Sequence, residues 1–390
     1  MLLGSLGALP PLSIDMALPA LGEIGSSYGV SGAQAAWTLS LFMAGFAIAQ
    51  LVFGPFSERY GRRPILLVGV TLFALAGFAA ALAHSFALLL IARFVEGCGA
   101  GAGMAMNFAI IRDLFEGSKA RTRLAYVGMV TNLAPMTAPA LGSAMLTVAP
   151  WRAIYLTLGL AGLALLATIV LGLDESHMKK DPEALSPRRF IGGYARILAT
   201  PAAIGNALIV AANFGCMFAY ISGSADLMMR QLGLPAFAYS VTFAMTSGGI
   251  LVGSYISSQF SRRHLPAMIP MTVGFSLSLA AALLLVALTL GNAVSVALFL
   301  PLFIIASMSF GLVAPNAIHG ALHPLPQLAG VMGATIGFLQ MAGASLASAL
   351  VAHFGMSHGA LAMTATMTVF SLTSAALYGL WVRPAERRKL

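Results

Sequence analysis

The chain has 390 residues, of which 59% are hydrophobic and only 8% are charged, and its formal net charge is +9. A soluble protein of this length carries about a quarter of its residues as charged side chains, so this composition excludes an ordinary water-facing surface. It favours a bundle of membrane-spanning helices, because only a helix of about 20 residues satisfies its own backbone groups within hydrocarbon.

Twelve apolar segments follow one another along the chain, each long enough for a transmembrane helix. They lie at 1–20, 33–53, 65–83, 86–110, 124–147, 151–173, 202–223, 236–258, 266–288, 293–315, 329–352 and 360–381. We therefore predict an all-α membrane protein with twelve transmembrane helices in two six-helix halves. The N-terminal bundle spans 1–173, a cytoplasmic linker spans 174–200 and the C-terminal bundle spans 201–390, which is the two-repeat plan of many transporters.

Basic residues indicate the orientation of the chain in the membrane. Eighteen of the 21 Lys and Arg residues lie in alternate loops, in the linker or at the C-terminus. The positive-inside rule therefore places the linker and both termini in the cytoplasm. Residues placed in this way orient the chain and can contact anionic lipid, which argues against a nucleic-acid partner. The chain begins inside an apolar run, so we expect no cleavable signal peptide and expect a few cytoplasmic residues to precede the first helix.

The first span contains one acidic residue, Asp15, close to Pro10, Pro11 and Pro19. A charge at the centre of a bilayer costs about 2.5–3.5 kcal/mol or more, and such charges usually have a function. The prolines free backbone carbonyls, which indicates that this part of the helix lines a cavity. Burial favours the neutral form of a carboxyl group and a nearby cation favours the charged form, so alternation between the two would load and release a proton. The simpler interpretation is an interfacial aspartate that is always hydrated.

Phe42, Met43 and Phe46 form a stripe on the second span, and Asn213 and Tyr220 lie on the seventh. A site for large, partly apolar compounds is mostly hydrophobic with a few polar anchors, so these residues are candidates for substrate binding. Methionine and aromatic residues are also ordinary core or lipid-facing residues, and the packing interpretation stays open.

A charged segment, Gly54-Pro-Phe-Ser-Glu-Arg-Tyr-Gly-Arg-Arg-Pro64, connects the second and third spans. Its glycines and prolines predict a tight turn, and its arginines place positive charge on one membrane face. Glu58 is a possible partner for those arginines. A weaker echo from Gly253 to His264 follows the eighth span; it keeps the leading glycine and two arginines without the acid, and it supports an internal repeat.

Arg93 and Glu96 lie three residues apart in the fourth span and therefore share one face of the helix. Arginine keeps its charge, so Arg93 must find an acceptor inside the protein. Glu96 could neutralise it from the same helix, or Asp15 could do so from the first span. One arginine with two possible carboxylates suggests a switch, whereas a static Arg93–Glu96 pair is the structural alternative. The glycines between 97 and 103 lie within a membrane helix and predict close packing rather than a dinucleotide loop.

Pro135 and Pro139 predict a bend in the fifth span, and with Gly142 they could seal the outer side of a transporter or simply kink the helix. Cys98 and Cys216 have no pairing or ligand spacing. The histidines lack the spacing of metal ligands, and no nucleophile–base pair is evident. The sequence therefore predicts no metal, no cofactor and no enzymatic activity.

Several of these segments resemble one branch of a known transporter family. They are Asp15–Pro19, Gly54–Pro64, Arg93–Gly97, Arg112-Asp113, Ala134–Gly142 and Pro315–Gln340. In these segments the chain resembles the Bcr/CflA drug-resistance branch of the major facilitator superfamily, whose loop between helices 2 and 3 reads Gly-x-x-x-Asp-Arg-x-Gly-Arg-Arg. Glu58 replaces the aspartate of that loop, and Glu96 replaces a glutamine that is usual in related sequences.

The resemblance implies a monomeric antiporter of the bacterial inner membrane that exports drugs or other small molecules by alternating access as protons enter. It implies proton coupling at Asp15 and Arg93, and it makes both residues candidates for substrate contact. Because Glu96 shares a helix face with Arg93, we predict that Glu96 also takes part in proton coupling. Gating is expected from the loop, from the start of the next loop and from the fifth span. These gating residues are Gly54, Glu58, Arg59, Gly61, Arg62, Arg63, Arg112, Asp113, Pro135, Pro139 and Gly142. The alternatives are an exporter or facilitator of a sugar, an amino acid or another metabolite without proton coupling, and, outside transport, a membrane receptor or a membrane-embedded enzyme.

Overall fold

The chain folds almost entirely into α-helices, as the apolar segments predict. A computed structural model describes residues 2–115, 117–177, 181 and 184–384, and no β-strand occurs among them. Within these ranges, the side chains at some positions are not described. These positions are 108, 112, 117–122, 124, 125, 128, 132, 187–191 and 326.

The α-helices are numbered here in chain order. They are α1 (Leu2–Asp15), α2 (Leu21–Tyr28), α3 (Gly32–Ala35), α4 (Trp37–Tyr60), α5 (Arg62–Ala81), α6 (Phe86–Leu114), α7 (Gly117–Leu146), α8 (Arg152–Gly172), α9 (Pro187–Leu198), α10 (Pro201–Ala225), α11 (Ala236–Arg262), α12 (Met268–Leu290), α13 (Val296–Leu322), α14 (Ala329–His358) and α15 (Ala360–Ala376). Helices α10 and α15 continue as π-helical turns, Asp226–Gln231 and Leu377–Val382. Short 3₁₀ turns lie at Leu18–Ala20 and Pro326–Leu328.

Eleven helical segments of the described chain are long and apolar enough to cross a membrane, and they correspond to eleven of the predicted spans. The all-helical membrane architecture is therefore confirmed. The remaining predicted span lies in α7, a 30-residue helix with Pro135 and Pro139 in its interior, which is not among the eleven. The total of twelve transmembrane helices stays a prediction.

Contacts between helices divide the chain into two compact units. The first consists of Met1–Ala20 and Leu41–Gly193, and the second consists of Leu21–Ser40 and Tyr194–Leu390. Each unit thus contains most of one predicted half. The short segment from 21 to 40 packs with the second unit, although it belongs to the N-terminal half in sequence.

In the first unit, glycines bring the backbones of α4 and α6 into direct contact. A Cβ atom at Gly45 would overlap the carbonyl group of Phe94, and a Cβ at Gly97 would overlap that of Phe42. Small residues allow such close approach in membrane bundles, where van der Waals packing replaces the hydrophobic effect between helices. The glycines predicted to serve packing therefore do so.

In the second unit, α11 and α13 make the same kind of contact. Gly45 faces the carbonyl of Phe94 and the backbone nitrogen four residues later, and Gly249 faces the carbonyl of Ile304 and the nitrogen four residues later. These matching contacts support the internal repeat, and they set its register: Gly45 corresponds to Gly249, and Phe94 corresponds to Ile304.

On this register, Gly253 corresponds to Ala49 and not to Gly54. A Cβ at Gly253 would overlap the carbonyl of Met308, whereas a Cβ at Gly54 would have no neighbour within 4 Å. The predicted pairing of Gly54 with Gly253 is therefore out of register, because a shared glycine in two loops does not fix how the preceding helices pack.

Candidate functional site

Helix α6 carries a fully buried ion pair in the first unit. Arg93 Nη1 donates to Glu96 Oε2 over 2.6 Å, and neither side chain has any exposed surface. Their three-residue spacing places both on one face of the helix. A buried pair of this kind is tolerated only when its remaining donors and acceptors also find partners.

The C-terminal end of α1 supplies those partners through Ser13. Arg93 Nη2 donates to the Ser13 carbonyl oxygen over 3.0 Å, and the Ser13 hydroxyl donates to Glu96 Oε1 over 2.5 Å. The last carbonyl groups of a helix lack backbone partners and form the negative end of the helix dipole. Arg93 therefore caps α1 at the residue two positions before Asp15.

Two aromatic rings enclose the guanidinium group of Arg93. Its Cζ lies 4.5 Å from the centroid of the Phe42 ring and 5.2 Å from that of Tyr155. A cation over an aromatic face is attracted by the ring quadrupole, by about 2 kcal/mol when both are desolvated. Met43 and Phe46 are buried nearby on α4. Phe42 thus has a packing role at Arg93, and the substrate role of the three residues stays a prediction.

Asp15 is buried, but it takes no part in the hydrogen bonds around Arg93. Its side chain is 4% exposed, and its Oδ1 has no hydrogen-bond partner among the described residues. The Nε atom of Arg93 is also buried and, within the same part of the chain, has no partner. The ion pairs of the described residues include Arg93–Glu96 and none to Asp15. Of the two carboxylates predicted as alternatives, Arg93 therefore binds Glu96 in this structure.

Helix α7 lies against the segment that follows Asp15. A Cβ at Gly142 would overlap the backbone carbonyl of Met16, so only glycine permits this approach. Pro135 and Pro139 lie in the interior of α7, one to two turns before that contact. Of the three residues predicted to seal the outer side, Gly142 thus contacts the backbone just after α1. The gating role of all three stays a prediction.

A second contact with α7 compensates for a proline in α1. Pro11 has no N–H group to donate to the carbonyl of Gly7 four residues earlier. The Thr131 hydroxyl of α7 lies 3.3 Å from that carbonyl and 2.9 Å from the carbonyl of Val127 in its own helix, so its one hydrogen is shared between them. The neighbouring helix therefore offers the freed acceptor a partial substitute for the missing backbone donor.

The loop between α4 and α5 turns at Gly61, whose φ is +106°. Glu175, from the segment after α8, accepts hydrogen bonds from the backbone nitrogens of Arg62 over 2.8 Å and Arg63 over 3.2 Å. It caps α5, because Gly61 at the N-cap has no side chain to do so. Glu175 is not among the residues predicted from the sequence, since it lies 113 positions from Arg62 and local spacing carries no signal for such a contact.

Arg62 is the centre of a hydrogen-bonded cluster below this turn. Its Nε donates to Asp113 Oδ2 over 2.9 Å, and its Nη1 donates to the Ser57 hydroxyl over 2.5 Å. His177 Nδ1 lies 3.8 Å from the same Asp113 oxygen. The predicted Arg112-Asp113 pair thus contributes through Asp113, whereas the side chain of Arg112 lies outside the described residues.

Glu58 contributes through its backbone. Its carbonyl oxygen accepts a hydrogen bond from the backbone nitrogen of Asp181 over 3.0 Å. Within the described chain, the carboxylate of Glu58 has no hydrogen bond or ion pair. The sequence predicts that Glu58 pairs with an arginine of this loop, but it is Asp113 that binds Arg62. The proposed gating role of Glu58 is left as a prediction.

The side chains of the other loop residues make fewer contacts than that of Arg62. Arg63 Nη2 donates to the carbonyl of Val170 over 3.0 Å, and the Arg59 guanidinium lies 5.5 Å from the centroid of the Tyr60 ring. A Cβ at Gly54 would meet no atom within 4 Å. The cluster therefore depends on Gly61 and Arg62 more than on the rest of the motif.

In the second unit, Tyr220 occupies an aromatic cluster. Its hydroxyl lies 3.0 Å from the Thr246 hydroxyl, and its ring centroid lies 4.5 Å from that of Phe303. By the glycine register, Thr246 and Phe303 correspond to Phe42 and Arg93 of the first unit. An uncharged cluster thus replaces the ion pair in the second unit.

Asn213 on α10 is 3% exposed, and its Oδ1 has no hydrogen-bond partner among the described residues. A buried polar atom without a partner is rare, and it suits a polar anchor for a ligand. Asn213 and Tyr220 therefore remain candidates for substrate binding. In the part of the chain that the structure describes, no group of three or more His, Cys, Asp or Glu residues could hold a metal ion.

Comparison with known proteins agrees with this architecture. Residues 4–348 match the family model of the Major Facilitator Superfamily. The chain is 28% identical over 385 residues to a bicyclomycin resistance protein homolog of Haemophilus influenzae, with 95% of each protein covered. It is 31% identical over 336 residues to the multidrug resistance protein MdtL of Shewanella oneidensis, with 86% of this chain and 84% of that protein covered.

The fold is similar to a solved structure of a bacterial homolog of the human lysosomal transporter Spinster. The TM-score is 0.72 at 16% sequence identity, over 99% of this chain and 96% of the other. The match to the superfamily over most of the chain confirms the resemblance seen in the sequence motifs. This chain therefore belongs to the Major Facilitator Superfamily and is a multi-pass membrane transporter of small molecules, not an enzyme.

Proposed function

We propose that the protein is a proton-coupled efflux antiporter for drugs or similar small molecules. Relatives named for bicyclomycin resistance and multidrug resistance support drug export as the task. The observation that carries proton coupling is Asp15, a buried carboxyl group whose Oδ1 has no hydrogen-bond partner among the described residues.

Inside a membrane, a buried carboxyl group that forms no ion pair is favoured in its neutral form. The surroundings of Asp15 therefore support a protonated side chain in this conformation. Release of the proton requires that water or the guanidinium of Arg93 reach the carboxyl group. Alternating access changes the exposure of such a group between the two sides of the membrane, and so converts a proton gradient into conformational change.

Competition at Asp15 would couple proton to substrate. The ionised carboxylate of Asp15 can bind a substrate that is cationic or donates hydrogen bonds. Protonation removes the negative charge and weakens that binding. Two ligands that favour opposite states of one group exclude each other, which is the requirement for exchange. Within the first unit, Phe42, Met43 and Phe46 would supply apolar surface for the substrate.

The Arg62 cluster supports a gate on the cytoplasmic side. Asp113, Ser57 and Glu175 hold Arg62 and the first turn of α5, so that the ends of α4, α5 and α6 are fixed together within the first unit. The distribution of basic residues supports a cytoplasmic location for this cluster and for both termini. A monomer in the bacterial inner membrane, in contact with anionic lipid, completes the proposal.

The test is transport by purified protein in proteoliposomes, with ethidium as a fluorescent lipophilic cation. We expect a pH gradient to drive ethidium uptake in exchange for protons. Asp15→Asn should abolish this flux. Glu23→Gln, which alters an exposed acid on α2, is the matched control and should transport normally. Full pH-driven flux in Asp15→Asn would show that Asp15 does not carry the proton.

Ethidium movement without proton movement in the unaltered protein would instead identify a facilitator. A thermal-shift screen against antibiotics and metabolites at two pH values identifies compounds for the same assay. A sugar or an amino acid that stabilises the protein more than any drug would favour the alternative of a metabolite exporter.

A further inference from the structure

The first unit contains a second buried carboxyl group, Glu96. Among the described residues, Glu96 binds the guanidinium of Arg93, the cation that Asp15 is proposed to use. Glu96 accepts hydrogen bonds from Arg93 and from the Ser13 hydroxyl, so both of its oxygens are occupied. Asp15 has an unused acceptor, Oδ1, and Arg93 has an unused donor, Nε. The donor and the acceptor that would form an Asp15–Arg93 contact are thus both unsatisfied.

The charges of this group determine where a proton must lie. One guanidinium and two ionised carboxylates would leave a net negative charge in a buried site, which burial strongly disfavours. One of the two carboxyl groups is therefore protonated while the site is closed. Since Glu96 has both Arg93 and Ser13 as donors, this arrangement favours the proton on Asp15.

We propose that Glu96 is a second proton carrier and that Arg93 exchanges Glu96 for Asp15 as its ion-pair partner during transport. This inference rests on the proposed function, because it divides the proton path of that function into two steps. In the exchanged state the Asp15 carboxylate binds the guanidinium through the donor that is now unused. Protonated Glu96 then keeps Ser13 as its partner, because a serine hydroxyl can either donate or accept.

The exchange is balanced. The proton leaves the carboxyl oxygen of Asp15 and is taken up by the carboxylate of Glu96, and the ion pair moves in the opposite direction. The three side chains have a net charge of zero before and after the step. Loss of the proton from Glu96 to the cytoplasm, followed by uptake of a proton at Asp15 from outside, completes the entry of one proton per cycle.

The other groups around Glu96 leave no competing carrier in this cluster. Phe42 on α4 and Tyr155 on α8 contact the guanidinium of Arg93, and of these two only Tyr155 can titrate. A free phenol titrates near pH 10, well above the range in which carboxyl groups act. In the second unit, the glycine register places Phe303 and Ala306 at the positions of Arg93 and Glu96, so the exchange is confined to the first unit.

The experiment compares Glu96→Gln with Asp15→Asn in reconstituted protein. Glutamine keeps the size of Glu96 and an acceptor for Arg93, and Glu23→Gln is the exposed control. Infrared difference spectra are recorded on a pH change and on addition of ethidium, because protonated carboxyl groups have their own C=O stretching band. Thermal unfolding checks that each variant is folded, and Glu96→Asp tests whether an acid at this position restores the signal.

For the unaltered protein we expect two carboxyl bands that change in opposite directions when ethidium binds. Glu96→Gln should lack one band and Asp15→Asn the other, while Glu23→Gln retains both. In Glu96→Gln, the guanidinium of Arg93 no longer has an anionic partner and is available to stabilise ionised Asp15. The pH profile of its ethidium binding should therefore move to lower pH while its proton-driven flux falls, and Glu96→Asp should reverse both changes.

Three results would overturn the inference. If Glu96→Gln has the spectrum and pH profile of the unaltered protein, Glu96 carries no proton, although the proposed function stands. If Glu96→Gln loses flux but the unaltered protein shows only the band of Asp15, Glu96 has a structural role alone. If the unaltered protein shows neither pH-driven flux nor a carboxyl change, the proposed function itself fails, and the inference fails with it.

Discussion

The carboxylate of Glu175 accepts a hydrogen bond of 2.8 Å from the backbone nitrogen of Arg62, which lies 113 positions earlier in the chain. This contact places a negative charge at the positive end of the dipole of α5. It also joins the segment after α8 to the turn at Gly61, within the cluster proposed as a gate.

Glu175→Ala should destabilise the protein, because the first N–H groups of α5 lose their acceptor. The loss of an N-terminal cap costs about 0.5–2 kcal/mol. We expect a lower midpoint of thermal unfolding in detergent. Glu58→Ala is the matched control, since the Glu58 carboxylate makes no hydrogen bond among the described residues, and its midpoint should change less. Equal midpoints for the two variants would contradict the capping role of Glu175.

Gly61→Ala should be destabilising for two reasons. The φ of +106° is unfavourable for any residue with a side chain, and the new Cβ would overlap the Glu175 carboxylate. A side chain in such a backbone conformation costs about 1–3 kcal/mol. Gly333→Ala, in the interior of α14 with no atom within 4 Å of the new Cβ, should be neutral or raise stability by about 0.5–1 kcal/mol. Thermal unfolding of both variants measures the contrast, and a stable Gly61→Ala would refute it.

The packing of α6 can be tested by adding one methyl group at a tightly packed glycine, in Gly97→Ala, and at a loosely packed one, in Gly103→Ala. At Gly97 the methyl would overlap the carbonyl of Phe42, whereas at Gly103 it would lie 3.7 Å from Leu6, an ordinary contact. Overpacking costs about 1–3 kcal/mol, so only Gly97→Ala should lose stability and yield. Fluorescence-detected size exclusion of the two variants provides the measurement. A monodisperse, fully stable Gly97→Ala would show that α4 and α6 can separate without penalty.

Asp113→Asn should leave Arg62 buried without its anionic partner. The side chains of Arg62 and Asp113 are 4% and 14% exposed, and breaking a buried pair costs about 3–5 kcal/mol. The Asp226–Arg230 pair is the exposed comparison, since the Arg230 side chain is 59% exposed. Arg230→Ala should cost no more than about 1 kcal/mol. Chemical or thermal unfolding of both variants measures the loss of stability in each. A larger loss in Arg230→Ala than in Asp113→Asn would contradict the prediction.

Local periodicity explains why part of this structure could be predicted. Apolar runs gave the positions of eleven helices, since helix formation in a membrane depends on length and composition. The Arg93–Glu96 pair could also be predicted, because residues three apart on a helix always share a face. The close packing at Gly97 follows in the same way from a small residue inside a membrane helix.

Contacts between helices could not be predicted from spacing. The roles of Ser13 and Glu175 depend on how α1 and the segment after α8 are rotated against their neighbours. Residue spacing within a single sequence does not predict that rotation. The pairing of Gly54 with Gly253 failed for the same reason. The two segments share residue types, but the packing of α11 on α13 places Gly253 in a helix–helix contact and not in the loop.

Pro10 and Pro11 remove two backbone donors from the middle of α1, and Thr131 partly satisfies one of the acceptors they leave. The tip of α1, with Ser13 and Asp15, is therefore joined to its stem by a weakened hydrogen-bond ladder and is held by the side chains of Arg93 and Glu96 of α6. A swivel of this tip breaks few backbone bonds. If Asp15 carries a proton as proposed, its titration would need to move only this short segment and not the whole helix.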